Sequence, residues 1–351
     1  MRAIVLRRTG GPEELHYEAD APDPELGEGE VLVRVRAEGV CGRDLIDRRG
    51  GFRGIKLPVI LGHEFAGEVV RVGDAGTGGA GTVAFGALAP GDRVANLLRL
   101  GCGACRACLR GETPICERTW QSFGQTRDGG YAELVAAPAS SLVRIPPQVT
   151  DVEAASVACT FGVALRALRT VGRVTLGDDV LVTGASGGVG MAAVQIAKAL
   201  GARVIAATSS EAKREAIAGV GADDVVVHGA ADLHDKVRAL VPAGVDVALE
   251  LTGSPTFTSA LRSLRNGGRL VLVGNILADA IRVNPGAVIL YGYQILGSAG
   301  CTRRDLEDAF AMIAAKRVNV VIHQVLPLDR AADAHRVLGE RGVVGRVVLT
   351  P

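Results

Sequence analysis

From about residue 151, the chain alternates short apolar runs with amphipathic segments. Apolar runs at 178–186 and 202–210 predict buried strands, and the amphipathic segment at 187–201 predicts a helix between them. Further apolar runs follow at 245–251 and 268–275, with helical stretches between. Strands that alternate with helices in this way predict βαβ units and a parallel, doubly wound sheet, and so an α/β fold.

The first third of the chain has a different pattern. Residues 30–40 and similar short runs are rich in β-branched residues and are separated by Gly and Pro, which predicts β-strands joined by turns. The glycine-rich run at 73–92 predicts a surface loop. After residue 290, one long helix is predicted at 302–317, followed by short strands to the end.

Composition and charge narrow the classes of function. The 351 residues favour two domains, each large enough to bury a core. Lys and Arg (39) nearly balance Asp and Glu (38), which argues against nucleic acid or an anionic membrane as the main partner. No secretory signal and no run of eighteen apolar residues is visible. We therefore expect a soluble cytoplasmic protein.

Four of the seven cysteines lie in one short segment, with the spacing C-x2-C-x2-C-x7-C. They are Cys102, Cys105, Cys108 and Cys116. In a reducing compartment such clusters are more often metal ligands than disulfides, and this spacing suits a closed tetrahedral zinc site. Free thiols and an iron–sulfur cluster are the alternatives, although the usual cluster spacings differ. With all four positions filled by protein, the predicted role is structural. Trp120 and Phe123 follow and are assigned either to a substrate pocket or to core packing.

The segment 184–190 reads G-A-S-G-G-V-G and lies between a predicted strand and a predicted helix. That context is typical of a dinucleotide turn, although Ala185 stands where the first glycine is usual. Gly187 would let the backbone approach a pyrophosphate, and Gly190 would let the helix pack on the strand. The residues expected to contact the cofactor here and after a later strand are Ser186, Gly187, Gly188, Val189, Gly190 and Asn275.

The end of the second strand of this region indicates which dinucleotide binds. NAD sites usually place an acidic residue there, whereas this chain has Thr208, Ser209 and Ser210, followed by Lys213 and Arg214. Hydroxyl donors and positive charge favour a 2′-phosphate, so NADP(H) is preferred over NAD(H). The alternative is that the two basic residues occupy a solvated helix face.

Cys41, His63, Glu64 and Cys159 suggest a second metal site. Alone, a cysteine or a histidine is more often a core residue than a ligand. Together, Cys41, His63 and Cys159 supply the Cys2His set that leaves a fourth zinc position open to water or substrate. A zinc ion held in this way acts as a Lewis acid. The wide separation in sequence does not establish that these residues meet.

The motifs occur together in a characteristic order. The chain resembles the zinc-containing medium-chain dehydrogenase/reductase (alcohol dehydrogenase) family. The motifs that carry this resemblance are Cys41, "GHE" at 62–64, "PGDRV" at 90–94, the cysteine lobe at 95–120, "DGGYAE" at 128–133 and the glycine turn. The resemblance covers essentially the whole chain. It implies a GroES-like catalytic domain built from residues 1–150 and 290–351, and a Rossmann domain at 151–289.

The resemblance also implies roles for individual residues. Cys41, His63 and Cys159 would ligate a catalytic zinc, with Glu64 as an adjacent exchangeable ligand and Asp44 as the carboxylate that orients His63. The cysteine lobe would hold a structural zinc, which makes two zinc ions per chain. Arg346 would meet the cofactor pyrophosphate. Family members are commonly homodimers or homotetramers, and we expect the same here.

One position departs from the alcohol dehydrogenase pattern. Alcohol dehydrogenases usually carry Ser or Thr two residues after the first cysteine ligand, to pass on the substrate proton, and this chain has Arg43 there. Arginine stays charged and is a poor general acid or base. The segments 41–64 and 182–190 are also similar to the acryloyl-CoA reductase branch of the family. A salt bridge from Arg43 to Asp44 or Asp47 is the alternative to a catalytic role.

Three functions therefore remain open. The first is a zinc-dependent oxidoreductase that interconverts an alcohol and an aldehyde or ketone with NAD(P)(H), favoured by the intact zinc ligands. The second is an NADPH-dependent reductase of an activated C=C bond, favoured by Arg43. The third is a non-catalytic nucleotide-binding protein on the same fold, which the retained ligands disfavour.

Overall fold

The computed structural model describes residues 1–51, 54–73, 88–119, 121–229, 232–277 and 279–351. Most of the glycine-rich run at 73–92, and Trp120, lie outside these residues. The described chain divides into two units. The first comprises Met1–Cys159, Gly300–Ala315 and Ile322–Pro351, and the second comprises Thr160–Ala299 and Lys316–Val321.

The strands of the described chain are numbered in chain order. They are β1 Ala3–Leu6, β2 Leu15–Glu18, β3 Glu30–Val40, β4 Val59–Ile60, β5 Phe65–Val72, β6 Arg93–Asn96, β7 Arg99–Leu100, β8 Gln121–Ser122, β9 Leu134–Pro138, β10 Leu142–Arg144, β11 Asp179–Val182, β12 Arg203–Thr208, β13 Asp224–Val227, β14 Val245–Glu250, β15 Leu264–Leu272, β16 Gln294–Gly297, β17 Ile322–Pro327 and β18 Arg346–Thr350.

The α-helices are numbered in the same way. They are α1 Gly42–Arg48, α2 Arg106–Leu109, α3 Asp151–Ala154, α4 Val163–Leu165, α5 Gly188–Ala199, α6 Arg214–Gly219, α7 Leu233–Leu240, α8 Phe257–Ser263, α9 Pro285–Tyr291, α10 Arg303–Ala314 and α11 Ala331–Gly339. Two π-helical segments, Ala158–Gly162 and Arg166–Val171, flank α4.

The first unit is built mainly on antiparallel strands. Its main sheet has the order β10-β6-β5-β3-β18-β17, with β9 also paired to β3, and a smaller sheet has the order β2-β1-β4. Strand β3 alternates as its sequence predicts, because Val33 and Val35 are buried while Arg34 and Arg36 are exposed. Phe123 is fully buried and packs edge-on against Phe65 at a centroid distance of 5.0 Å. Phe123 is therefore a core residue.

The second unit carries the parallel sheet that the sequence predicts. Its order is β13-β12-β11-β14-β15-β16, and all five pairs of neighbouring strands are parallel. Val180, Leu181 and Val182 of β11 are fully buried, as expected for a strand covered on both faces. The strand order reverses at β11, between β12 and β14. Ligands of doubly wound sheets bind outside the carboxyl ends of the strands at such a point.

One helical segment of the described chain, Asp151–Val171, is apolar and long enough to span a membrane by length and composition alone. Of its most apolar window, 78% is buried inside the protein. Core helices meet the same criterion, so this segment is weak evidence for a membrane span.

His335 makes the stability of the first unit depend on pH. It lies on α11 and is 1% exposed, and burial lowers its pKa to about 4, with Asp44 opposing and Arg48 and Arg49 adding to the shift. On acidification, the histidine of the unfolded chain binds a proton at a higher pH than the buried one. The contribution of His335 to the free energy of unfolding is therefore complete above about pH 6.5 and is lost as the pH falls through about 4. We expect this imidazole to remove about 3 kcal/mol of unfolding free energy across that window.

The measurement is urea unfolding of the wild type and of His335→Gln at several pH values from 7 to 4. Other groups also titrate in this range, so the difference between the two proteins isolates His335. The loss on acidification should be smaller in the variant. Equal losses in both proteins would contradict the expectation.

Candidate active site

The first ligand candidate lies at the junction of β3 and α1. Cys41 follows the last residue of β3, and its backbone N–H donates to Asp44 Oδ2 at 2.9 Å. Cys41 is the N-cap of α1, and this hydrogen bond fixes the carboxylate of Asp44 in the first turn of the helix. Cys41 and Asp44 are therefore held by local structure in the relation that their spacing predicts.

The backbone around His63 is anchored by buried polar partners. Asn96 Nδ2 donates to the His63 carbonyl at 2.8 Å, and the backbone N–H of Glu64 donates to Glu38 Oε1 at 2.9 Å. Gly62 has a φ of +96°, and a Cβ at this position would lie 2.5 Å from Tyr131 Cδ1. Glycine is thus required beside the histidine, both by conformation and by space.

The structure brings Cys41, His63, Glu64 and Cys159 together. Each offers one ligand atom, and these atoms all lie within 4.8 Å of one another. We call these four residues the Cys41 cluster. Cys159 belongs to the π-helical segment Ala158–Gly162, a local geometry that often occurs at functional sites. Its Sγ lies 4.0 Å from Cys41 Sγ.

The donor set of the Cys41 cluster fits a zinc ion. His63 Nδ1 lies 2.9 Å from Asp44 Oδ1, which leaves Nε2 turned toward the cluster. His63 Nε2 and Glu64 Oε1 are buried and have no hydrogen-bond partner among the described residues. Unpaired buried polar atoms are costly, and a bound cation would satisfy both. The hydrogen bond between the two thiols lowers the pKa of Cys41 well below its usual value and raises the pKa of Cys159, so the protein alone stabilises one of the two thiolates that zinc would bind.

Arg346 lies at the start of β18, beside the Cys41 cluster. Its Nη2 donates to Glu64 Oε2 at 2.5 Å, and both side chains are almost fully buried. Its Nε has no hydrogen-bond partner among the described residues. The pyrophosphate contact expected of Arg346 stays a prediction.

The four lobe cysteines also converge, with ligand atoms within 4.8 Å of one another. Backbone N–H groups point at their sulfurs, among them Cys108 N and Glu117 N, which donate to Cys105 Sγ at 3.4 and 3.5 Å. Such bonds stabilise thiolates, which is the state required for tetrahedral zinc. All four residues of this group are cysteines, so protein sulfurs would fill the four positions of a tetrahedral ion and leave none open.

The glycine turn joins β11 to α5 as predicted, and Gly187 caps the helix. A Cβ on Gly190 would lie 2.5 Å from the Gly184 carbonyl oxygen, so only glycine lets the helix pack here. A Cβ on Gly187 would meet only that oxygen, at 3.6 Å. Ser186, Gly188 and Val189 are half-buried around the start of the twelve-residue helix. Free N–H groups at a helix start suit a phosphate.

The other predicted cofactor residues follow neighbouring strands of the same sheet. Thr208 ends β12 and is buried, whereas Ser209 is exposed and Ser210 is half-buried. Lys213 is half-buried, and burial lowers its pKa. Asn275 is exposed and lies three residues after β15. The carboxyl ends of β11, β12 and β15 therefore carry these candidates on one edge of the sheet.

Arg43 and Arg214 both form ion pairs. Arg43 Nε donates to Asp47 Oδ1 at 2.8 Å, which is the salt bridge considered above as an alternative. Asp47 is buried and also accepts from Gln125 Nε2 at 2.6 Å, so the arginine is held by a fixed carboxylate. Arg214 Nε pairs with Glu211 Oε1 at 2.5 Å. Arg214 is therefore engaged on its own helix surface.

Two buried carboxylates were not anticipated. Glu38 interrupts the apolar strand β3, and its Oε2 has no hydrogen-bond partner among the described residues. Glu250 ends β14, and its Oε1 accepts from the backbone N–H groups of Thr252 and Gly253. The signal was an acidic residue inside an apolar strand for Glu38 and at the end of an apolar run for Glu250. Neither was distinguishable from an ordinary exposed acidic residue of a strand.

Comparison with known proteins shows the family to which the chain belongs. Residues 27–147 match the model of the alcohol dehydrogenase GroES-like domain, and residues 188–315 match that of zinc-binding dehydrogenases. An acryloyl-coenzyme A reductase of Metallosphaera sedula is 35% identical over 351 residues, which is the full length of both chains. An alcohol dehydrogenase of Geobacillus stearothermophilus is 34% identical over 99% of both chains. A crystal structure of AibC is 44% identical, with a TM-score of 0.91 over 100% of this chain and 96% of that chain.

Proposed function

Because this chain belongs to the zinc-containing medium-chain dehydrogenase/reductase family, we propose that it is an NAD(P)H-dependent reductase of a C=C bond activated by a carbonyl group. The substrate class is an α,β-unsaturated thioester or enal. Hydride adds to the β-carbon and a proton to the α-carbon, which gives the saturated product and NAD(P)+. The family makes the chain an oxidoreductase, and the substrate class is our proposal.

Cys41, His63 and Cys159 would hold a zinc ion in this proposal, with Glu64 beside them. When bound, the zinc supplies a Lewis acid for the substrate oxygen, and NAD(P)H supplies the hydride. Asp44 accepts from His63 Nδ1 and so keeps the proton of His63 away from the cluster. The burial of His63 and Glu64 removes water from their side of the site.

Arg43 is the residue that favours C=C reduction over alcohol–carbonyl interconversion in this proposal. An alcohol–carbonyl interconversion needs a group that transfers the hydroxyl proton, and Arg43 cannot serve because it stays protonated. An enolate that forms during conjugate reduction needs a fixed positive charge, which a guanidinium held by Asp47 can supply. The full-length likeness to a relative named acryloyl-coenzyme A reductase supports the same choice. This preference reverses the order that the zinc ligands alone suggested.

The test offers the protein crotonaldehyde and, separately, crotonyl-CoA, with NADPH and then NADH, and identifies the products. Crotonaldehyde contains both reducible bonds, so the product reports the choice. We expect saturated aldehyde and butanoyl-CoA. Crotyl alcohol as the main product would refute the proposal. Arg43→Thr should slow C=C reduction by at least about tenfold, because a charge-assisted contact is lost. Arg304→Thr is the matched control, since Arg304 is 85% exposed.

The second candidate is the alcohol–carbonyl oxidoreductase. The complete Cys2His set with an adjacent glutamate favours it, because that set polarises a carbonyl directly. The 34% identical alcohol dehydrogenase supports it as well. Oxidation of primary and secondary alcohols by NADP+ or NAD+, with no reduction of enoyl substrates, would favour this function.

We also propose that the cofactor is NADP(H) rather than NAD(H). Ser209, Ser210 and Lys213 offer donors and positive charge near the end of β12. Lys213→Ala should raise the KM for NADPH by about tenfold and change that for NADH little, since only NADPH carries a 2′-phosphate. Steady-state kinetics with both cofactors is the measurement, and Lys236→Ala is the control. A parallel change for both cofactors would contradict the assignment.

A further inference from the structure

A buried chain of side chains connects α11 to the Cys41 cluster. His335 Nε2 lies 2.9 Å from Tyr131 Oη, which lies 3.3 Å from Asp44 Oδ2. Asp44 Oδ1 lies 2.9 Å from His63 Nδ1. Each of these four side chains is at most 2% exposed. The proposed reaction gives no role to Tyr131 or His335, although burying their polar groups is costly.

The protonation states of Tyr131 and His335 determine which group donates in each hydrogen bond between His335 and Asp44. Burial, together with the charges of Asp44 and Glu38, raises the pKa of Tyr131 well above its usual value, so the phenol keeps its proton. Burial lowers the pKa of His335 to about 4, so the imidazole is neutral at neutral pH. The consistent arrangement has His335 Nε2–H donating to Tyr131 and Tyr131 O–H donating to Asp44. His335 Nδ1, which has no partner among the described residues, is then a bare acceptor rather than a stranded donor.

Asp44 therefore receives donors on both oxygens. Oδ2 accepts from the Cys41 backbone N–H at 2.9 Å and from the Tyr131 hydroxyl, while Oδ1 accepts from His63 Nδ1. Contacts on both sides determine the plane of the carboxylate. The carboxylate in turn fixes His63 Nδ1 and so turns Nε2 toward the cluster, which is the orientation that a metal-bound histidine needs.

The phenol is itself held in place by backbone contacts. The Tyr131 N–H donates to the Leu61 carbonyl at 3.0 Å, and the Tyr131 carbonyl accepts from Ile4 N–H at 2.8 Å. The ring packs against Gly62, where no Cβ fits, and stands edge-on to His335 at a centroid distance of 5.8 Å. The hydroxyl therefore has little freedom to turn away from Asp44.

We propose that Tyr131 and His335 are positioning residues for the metal centre at the Cys41 cluster, which they tune through Asp44 and His63. The inference rests on the metal role proposed for that cluster. Neither residue touches a ligand atom. They act by fixing the carboxylate that orients the histidine, so their loss should weaken metal binding rather than block the reaction directly.

The experiment compares metal affinity in the full-length protein. Tyr131→Phe removes only the hydroxyl, and it should weaken one of the two zinc sites by about tenfold in a chelator competition, as partners of metal-bound histidines do. The Co²⁺-loaded variant should show a shifted visible absorption band. His335→Leu should act in the same direction, whereas His335→Gln keeps an N–H donor and should retain most of the affinity. Exposed Tyr291→Phe and His323→Gln are the matched controls.

The double variant tests whether the two residues act in series. Tyr131→Phe with His335→Leu should weaken zinc binding no more than Tyr131→Phe alone. Additive losses of zinc affinity would show that His335 does not act through Tyr131. Unchanged zinc affinity and cobalt spectrum in Tyr131→Phe would overturn the inference, even if its thermal midpoint fell. A wild-type protein that binds only the zinc of the cysteine lobe would instead overturn the metal role of the Cys41 cluster, and the inference with it.

Discussion

Replacing His63 with alanine is expected to lower kcat/KM by about 1,000-fold or more and to reduce the zinc content from about two ions per chain to about one. Several kcal/mol of transition-state stabilisation come from a Lewis acid of this kind, which corresponds to a rate effect of that size. His63 is 2% exposed, and its loss would leave Cys41, Cys159 and the carboxylate of Glu64, a set without the neutral imidazole that the predicted Cys2His site uses. The measurements are steady-state kinetics and elemental analysis of the same preparations.

Two further measurements separate loss of metal from loss of fold. NADPH binding, followed by fluorescence, should be retained, because the glycine turn lies in the other unit. Cys159→Ser should reproduce the loss of one zinc ion without removing a buried ring. His323→Ala, at an exposed site, should keep both ions and full activity. Full activity in His63→Ala with one zinc ion per chain would contradict the proposed role of the cluster.

Removing the zinc ion that we propose for the cysteine lobe is expected to unfold the lobe without removing the metal that we propose for the Cys41 cluster. Structural zinc sites contribute on the order of 10 kcal/mol in small zinc domains, which is more than a segment of this size can recover from packing. In Cys105→Ser, two backbone N–H groups that now point at the sulfur also lose their thiolate partner. We expect rapid tryptic cleavage at Arg106, Arg110 or Arg118.

The control for the lobe is Cys301→Ser, because Cys301 is the one cysteine outside both clusters. It should keep two zinc ions and resist trypsin as the wild type does. Chelation of the wild type should first remove the metal of the Cys41 cluster, since a site with an open position releases its ion more readily than a closed one. Resistance of Cys105→Ser to trypsin would contradict a structural role for the lobe.

Local patterns were sufficient for much of the fold and for one candidate site. The alternation of apolar runs and helices predicted the parallel sheet, because strand burial on both faces leaves a direct signature in hydrophobicity. The lobe cysteines lie within fifteen residues, so their spacing alone limits how they can be arranged. The glycine turn was predictable for the same reason, since a strand, a turn and a helix are contiguous.

The Cys41 cluster is different, because it is assembled across long separations. The pairing of β3 with β5 places His63 and Glu64 near Cys41, and the placement of the π-helical segment brings Cys159 Sγ, 118 positions away in sequence, to 4.0 Å from Cys41 Sγ. The residue types indicated the chemistry and the resemblance indicated the grouping. Neither gave the hydrogen bonds that determine which nitrogen of His63 faces the cluster.

Side-chain partners were the least predictable feature. For Arg43, both the next residue, Asp44, and Asp47 one helical turn on were possible partners, and the structure shows the pair with Asp47. The contact of Arg346 with Glu64 joins residues 282 positions apart. Tyr131 lies in the DGGYAE segment and His335 in no motif, and neither position indicated its side-chain partners, because a buried polar residue looks in sequence like an exposed one. The sequence by itself determined the two kinds of domain, the lobe and the nucleotide turn, since these depend on short-range periodicity and spacing. Only the tertiary structure decided which buried donors and acceptors meet, because that depends on how distant strands and helices pack.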